Sequence, residues 1–297
     1  MTDAGSTLAR RALGRELLRL RTKNDLTKAD AARAAEVSPQ SIGRTEEGLA
    51  TRITALQTNA LCNLFGATKE ERKMLLGLVA EIRSTEKSKY GWWRAYLDQL
   101  ADDFNHYLAL EDAARRLTAW RVTIIPGLLQ TPEYRRAIAW AILPNSPADE
   151  VEKFIELATR RQARLEDPNF ALEVFLSEAV LLDEVGGPAV MNEQLLHLVN
   201  MAERPNISIR IVPLRGRPTN IGSYVGSFYY LEFPPLGESK HVEPPIVYIE
   251  EYAGDLYLDR KGEWERYERA LRGIDRVALD QDQSRQAILE VAEEYAE

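Results

Sequence analysis

Gln40 and Arg44 stand four residues apart in the run Ser38-Pro39-Gln40-Ser41-Ile42-Gly43-Arg44-Thr45-Glu46-Glu47-Gly48. On a helix that spacing puts both side chains on one face. An amide and a guanidinium held side by side are the groups that make paired contacts to adenine and guanine edges in the major groove of DNA. Ser38 and Ser41 add hydroxyls at the start of the same segment, where the free N–H groups of a helix suit a phosphate. Arg52, in the loop that follows, is a further candidate phosphate contact. The same residue types also occur on ordinary solvated helices, so the elements around them decide what they can do.

Those elements are legible. Leu13, Leu17 and Leu20 recur at helical spacing and predict a helix over residues 8–23, ended by Asn24-Asp25. Thr27 caps a second helix, with Asp30 three residues on in the capping-box pattern. Its alanines, Ala31, Ala32, Ala34 and Ala35, leave room for another helix to approach. Val37 fills a tight turn. Ser38 then caps a third helix, Pro39 occupies its first position and Gly48 stops it after Glu47, with Ile42 pointing inward. Helices over 55–65 and 69–84 complete an all-α, five-helix domain, with Leu56, Leu61, Leu64, Leu75, Leu76 and Val79 assigned to its core. Two short helices separated by so tight a turn read as a helix-turn-helix.

The pattern Leu26-Thr27 with Ala32, then Val37-Ser38, Ile42 and Glu46 with Gly48, resembles the bacterial Xre/Cro/C1-type repressor module. The resemblance implies that Lys28 stands where that family contacts a phosphate, usually through glutamine. It also implies a structural ion pair between Glu46 and a basic residue of the first helix, the matching one being Arg21. Pro39 and Gly43 depart from the pattern, since the family often has a polar base-contacting side chain at the first and glycine is a weak helix former.

Composition at first argues against nucleic acid, because the 297-residue chain carries a net charge of −8. The charge is unevenly spread: residues 1–88 carry +4 and residues 89–297 carry −12. Arg10, Arg11, Arg15, Arg19, Arg21 and Lys23 are six of the fifteen Lys and Arg of residues 1–88, gathered on a helix whose basic face can equally be a solvated one. A single cysteine, Cys62, leaves no internal disulfide and favours the cytoplasm. No window reaches the roughly 20 apolar residues of a membrane span, and residues 2–11 lack the apolar stretch of a secretory signal. Disorder is expected only in residues 1–6 and in the tail. The expected organisation is a helix-turn-helix domain over 8–68, a connecting helix and linker over 69–95, and a C-terminal regulatory or partner-binding domain over 96–297.

The larger region reads as mixed α/β. Apolar positions Tyr107, Leu110, Ala114 and Leu117 predict a helix over 101–120, and Trp92-Trp93 is expected to pack a domain junction. Thr131-Pro132 starts a further helix; others are expected over 151–167, 188–201, 264–277 and 284–295. The helix over 151–167 carries Arg160, Arg161 and Arg164, which could meet an anionic ligand but are expected rather to pair with Glu156 and its neighbours. Residues 170–176, 207–212, 227–233 and 246–250 read as strands, 207–212 by its alternation, giving a sheet of about four or five. Ile125-Pro126-Gly127-Leu128-Leu129-Gln130-Thr131 with Tyr134, Arg161-Gln162 with Arg164-Leu165, Gly186-Gly187 with Gln194-Leu195, and Glu203-Arg204-Pro205-Asn206 together resemble the domain of unknown function that follows the helix-turn-helix in many bacterial regulators. That resemblance implies control of development or secondary metabolism, and a small partner protein encoded nearby.

Catalytic signatures are missing from the sequence: there is no nucleophile elbow, phosphate-cradling glycine loop, dinucleotide fingerprint or metalloprotease helix. His106, His197 and His241 are scattered, and Cys62 reads as a small buried hydrophobe. The expectation is therefore a non-enzymatic, cytoplasmic DNA-binding transcriptional regulator without cofactor or metal. Its partners are expected to be double-stranded DNA and a second copy of itself, so that two recognition helices reach half-sites about one turn of DNA apart. Alternatives left open are a protein-binding antagonist of a small neighbouring protein and a sensor of a small ligand.

Overall fold

The computed structural model describes residues 8–49, 51–87, 102–215, 221–237, 239–251 and 254–296. The chain divides into two compact units, one of residues 1–113 with 233–243 and one of 114–232 with 244–297. Trp92, Trp93 and residues 1–6, on which expectations were placed, lie outside the described residues.

The first unit is helical, with α1 (Leu8–Lys23), α2 (Lys28–Ala35), α3 (Pro39–Glu46), α4 (Ala55–Leu64), α5 (Lys69–Lys87) and α6 (Asp102–Ala113). Its core joins Leu13, Leu17 and Leu20 of α1 to Ala31, Ala32 and Ala35 of α2, Ile42 of α3, and the buried Leu61, Cys62, Leu75, Leu78 and Ile82. Burial pushes the Cys62 thiol up from its ordinary pKa, as expected of an inert packed cysteine. The expected core position Leu56 is instead 81% exposed, and Leu64 is on the surface as well. The buried stripe of α4 runs through Thr58, Leu61, Cys62 and Phe65, at helical spacing. Leu56 falls on the opposite side of that turn. Leu236, from the segment 233–243, packs on the same core. Nearby, the buried Glu243 carboxylate accepts from Arg15 at 3.1 and 3.2 Å.

Helices α1 and α3 touch backbone to backbone, and glycine is the reason. A Cβ on Gly14 would sit 2.3 Å from the carbonyl oxygen of Thr45 and 2.8 Å from that of Glu46. Neither oxygen can swing away as a side chain could. Gly14→Ala is therefore expected to lower the stability of this unit by about 1–3 kcal/mol, as overpacking does. Urea unfolding checks it, and an unchanged midpoint would refute the close contact.

The second unit is built on a sheet of six strands, β1 (Arg116–Arg121), β2 (Ala171–Ser177), β3 (Ile207–Val212), β4 (Phe228–Glu232), β5 (Ile246–Glu251) and β6 (Gly254–Leu258), in the order β3-β2-β1-β4-β5-β6. The three on the β3 side are mutually parallel; β4, β5 and β6 continue antiparallel. Helices α7 (Pro132–Ile142) and α8 (Ala148–Gln162) make the crossover from β1 to β2, and α9 (Ala179–Leu182) and α10 (Pro188–Met201) that from β2 to β3. The chain closes with α11 (Lys261–Asp275) and α12 (Gln281–Glu294). The mixed α/β class is as expected from sequence. Two strands were not foreseen. The helix expected over 101–120 ends at Ala113, and residues 116–121 are β1, near the middle of the sheet, where Leu117, Thr118, Ala119, Trp120 and Arg121 are all buried. Burial on both faces removes the alternation by which a strand is recognised.

The Pro-Gly-Leu-Leu-Gln-Thr run forms a polar knot that anchors α7. The Gln194 amide accepts from the Thr131 N–H at 2.7 Å and donates to the Leu129 carbonyl at 2.8 Å. Gln130 donates to the Ile125 carbonyl and Gln162 to the Gln130 carbonyl, at 2.7 and 2.6 Å. These amides, buried at Gln130 and Gln194 and half-buried at Gln162, satisfy a loop that makes no ladder bonds of its own.

Candidate nucleic-acid interface

Helix α2 starts in a full capping box, the Thr27 hydroxyl accepting from the Asp30 N–H while the Asp30 carboxylate accepts from the Thr27 N–H. The Thr27 hydroxyl and N–H hold that carboxyl below its usual range. The helix ends at Glu36 in the left-handed region, φ 54°. There the Val37 N–H returns to the Ala32 carbonyl at 3.0 Å. A non-glycine residue in that conformation costs about 1 kcal/mol, offset by the closure of a turn too short for another residue. Ser38 follows as the cap of α3, its hydroxyl accepting from the Ser41 N–H at 3.1 Å, with Pro39 at the first helical position.

Within α3 the sides separate cleanly. Ile42, Gly43, Thr45 and Glu46 are buried, whereas Pro39, Gln40, Arg44 and Glu47 are exposed. Gln40 and Arg44 thus share the outward face, with Glu47 one turn further on. Ser41 sits on the flank and, with Arg52, lines a cavity of about 190 Å3 between α3 and α4. Arg52 and Lys28 are exposed. Lys28 reaches across α3: its Nζ lies 3.1 Å from where a Gly43 Cβ would be. A side chain at Gly43 would push only the exposed, flexible end of that lysine aside.

Helix α3 is fixed from behind. The Arg21 guanidinium meets the Glu46 carboxylate in a two-pronged pair, Nε to Oε1 at 2.5 Å and Nη2 to Oε2 at 2.9 Å, and its Nη1 donates to the Leu26 carbonyl at 2.7 Å. Both side chains are nearly buried. Glu46 holds the Arg21 pKa above its ordinary value. One guanidinium thereby ties together the end of α1, the turn into α2 and the end of α3. The rest of the basic face of α1 is less available than its composition suggests. Arg19 binds Glu16 and Glu71, both at 2.8 Å, and Arg15 binds Glu243.

No group of three side chains able to hold a metal ion occurs among the described residues. Burial holds the His197 imidazole pKa below its usual value, which suits a neutral packed ring. No described helix is long and apolar enough to cross a membrane.

Two helices joined by this turn, with a capped second helix presenting one face, are a helix-turn-helix unit, and the model of a helix-turn-helix domain matches residues 12–75. A second model, that of the domain of unknown function DUF5753, matches residues 104–290, more than half of the chain, which therefore belongs to the DUF5753 family. No curated protein and no solved structure matches the chain.

Proposed function

We propose that this protein is a sequence-specific DNA-binding transcriptional regulator of the Xre/Cro/C1 type, with α3 entering the major groove. Gln40 and Arg44 read base edges; Lys28, Ser38, Ser41 and Arg52 hold phosphates. The observation that carries this reading is the exposed Gln40–Arg44 face on a helix anchored by the buried Arg21–Glu46 pair. A recognition helix must be both presented and held still. The protein acts in the cytoplasm as a dimer on two half-sites and performs no catalysis, and the second unit senses a ligand or recruits a small partner protein. Selection of bound duplexes from a random pool tests the proposal. Enrichment of one motif with internal two-fold symmetry is the expected result, and a pool that stays random refutes it.

Lys28 has a separate signature. A phosphate contact carries no sequence information, so Lys28→Gln is expected to weaken selected and random duplexes about equally. It should also lower the slope of log affinity against log salt by about one. Titrations between 50 and 200 mM salt read both effects. An unchanged slope removes Lys28 from the interface.

A further inference from the structure

The second unit contains a groove of about 730 Å3 over the sheet, beside α11. That volume suits a small-molecule ligand. The register of the strands explains its floor. Phe175, Trp120 and Phe228 lie across β2, β1 and β4 and pack in one cluster with Ile274. Two residues back along β1, Glu173, Thr118 and Tyr230 form the next row on that face, and Ala171, Arg116 and Glu232 the one after it. These two rows line the groove.

Two features make this more than a gap. The Thr118 and Tyr230 side chains are mostly covered, at 4% and 6% exposed, yet their hydroxyls are not among the atoms buried without a partner, and no hydrogen bond within the described residues occupies them. Both residues line the groove, so a molecule lying in it can bond these hydroxyls without displacing a protein partner. Tyr230 is also held as the protonated donor: burial, with Glu268 and Glu232 nearby, raises its pKa. The second feature is the walls. Arg116 binds Glu173 at 2.7 Å and approaches Glu232 at 3.7 Å, and Arg272 binds Glu268 at 3.0 Å. Asp275 on the same wall is paired with Arg210. Each cation therefore has a carboxylate beside it. A multiply charged anion finds no surplus positive charge here, whereas a molecule with one charge of each sign can lie along such pairs.

We propose that this groove binds a small zwitterion, the Thr118 and Tyr230 hydroxyls bonding its polar middle while its ammonium faces Glu173 or Glu232 and its carboxylate faces Arg116 or Arg272. The assignment goes beyond the DNA-binding reading and does not depend on it, since α3 contributes nothing to the groove and the duplex selection fails or succeeds separately.

Trialanine with free ends, its N-acetylated form and its C-terminal amide share one backbone and differ in charge, so they serve as probes of the full-length protein by titration calorimetry. The free tripeptide is expected to bind saturably and at least fivefold more tightly than either capped form. Tyr230→Phe and Thr118→Val remove hydroxyls that bond nothing among the described residues, so each should leave the melting curve near that of the original and weaken the free tripeptide at least tenfold. If one variant fails to fold, the other carries the same reading. Absence of saturable binding by the free tripeptide overturns the proposal, and so do equal affinities for the three forms or affinities unaltered by both substitutions.

Discussion

Replacing Gln40 and Arg44 together by alanine is expected to abolish site-specific DNA binding while leaving the fold and the residual affinity for random DNA nearly intact. Both side chains are exposed on α3, and Ile42, Thr45 and Glu46 bury the opposite side, so truncation removes no core contact. Each well-made paired contact to a base discriminates by about 1–3 kcal/mol, a factor of ten to over a hundred. Arg44→Ala alone should relax specificity at one base position and Gln40→Ala at another. Duplex selection with each variant measures this directly. A double variant that enriches the original motif at full strength means that α3 does not read bases. A variant that loses random DNA in equal proportion means that the two side chains only hold phosphates.

Most of the first unit could be read from the sequence because its signals are local. Thr27 with Asp30 and Ser38 with Pro39 announce two helix starts within a dozen residues, and Ile42 fixes which side of α3 turns inward. What escaped was set by tertiary contact. Gly14 looks like a defect in its helix, yet it admits the carbonyls of α3. Arg15, Arg19 and Arg21 look like one basic stripe, but their partners lie elsewhere in the chain, at Glu243, Glu71 and Glu46. In the second unit β1 was hidden by its own burial, and the row of Glu173, Thr118 and Tyr230 was invisible for a different reason. Those residues are far apart in the chain and become neighbours only once the register of three strands is known. Spacing along a sequence carries no trace of such a row.

The buried Arg21–Glu46 pair should show the asymmetry typical of desolvated ions. Arg21→Ala leaves a nearly buried carboxylate, and Glu46→Gln a guanidinium with no countercharge; each is expected to cost the first unit about 3–5 kcal/mol. For a domain whose whole stability is on the order of 5–15 kcal/mol, that is enough to loosen α3 or unfold the unit. DNA binding would then vanish even though neither residue reaches the duplex. Replacing both partners, as in Arg21→Met with Glu46→Leu, removes the uncompensated charge and should restore much of the loss. The Leu26 carbonyl still loses its 2.7 Å donor, so recovery stays incomplete. Urea unfolding of the two single variants and the double one closes the cycle. Additive losses would mean that the two side chains act independently, whereas a double variant more stable than either single one shows that the pair positions the recognition helix as a unit. The same cycle separates presentation from chemistry. If the double variant regains its fold and its operator together, the guanidinium serves only to hold α3. If it regains the fold alone, the charge itself contributes to the field that the DNA meets.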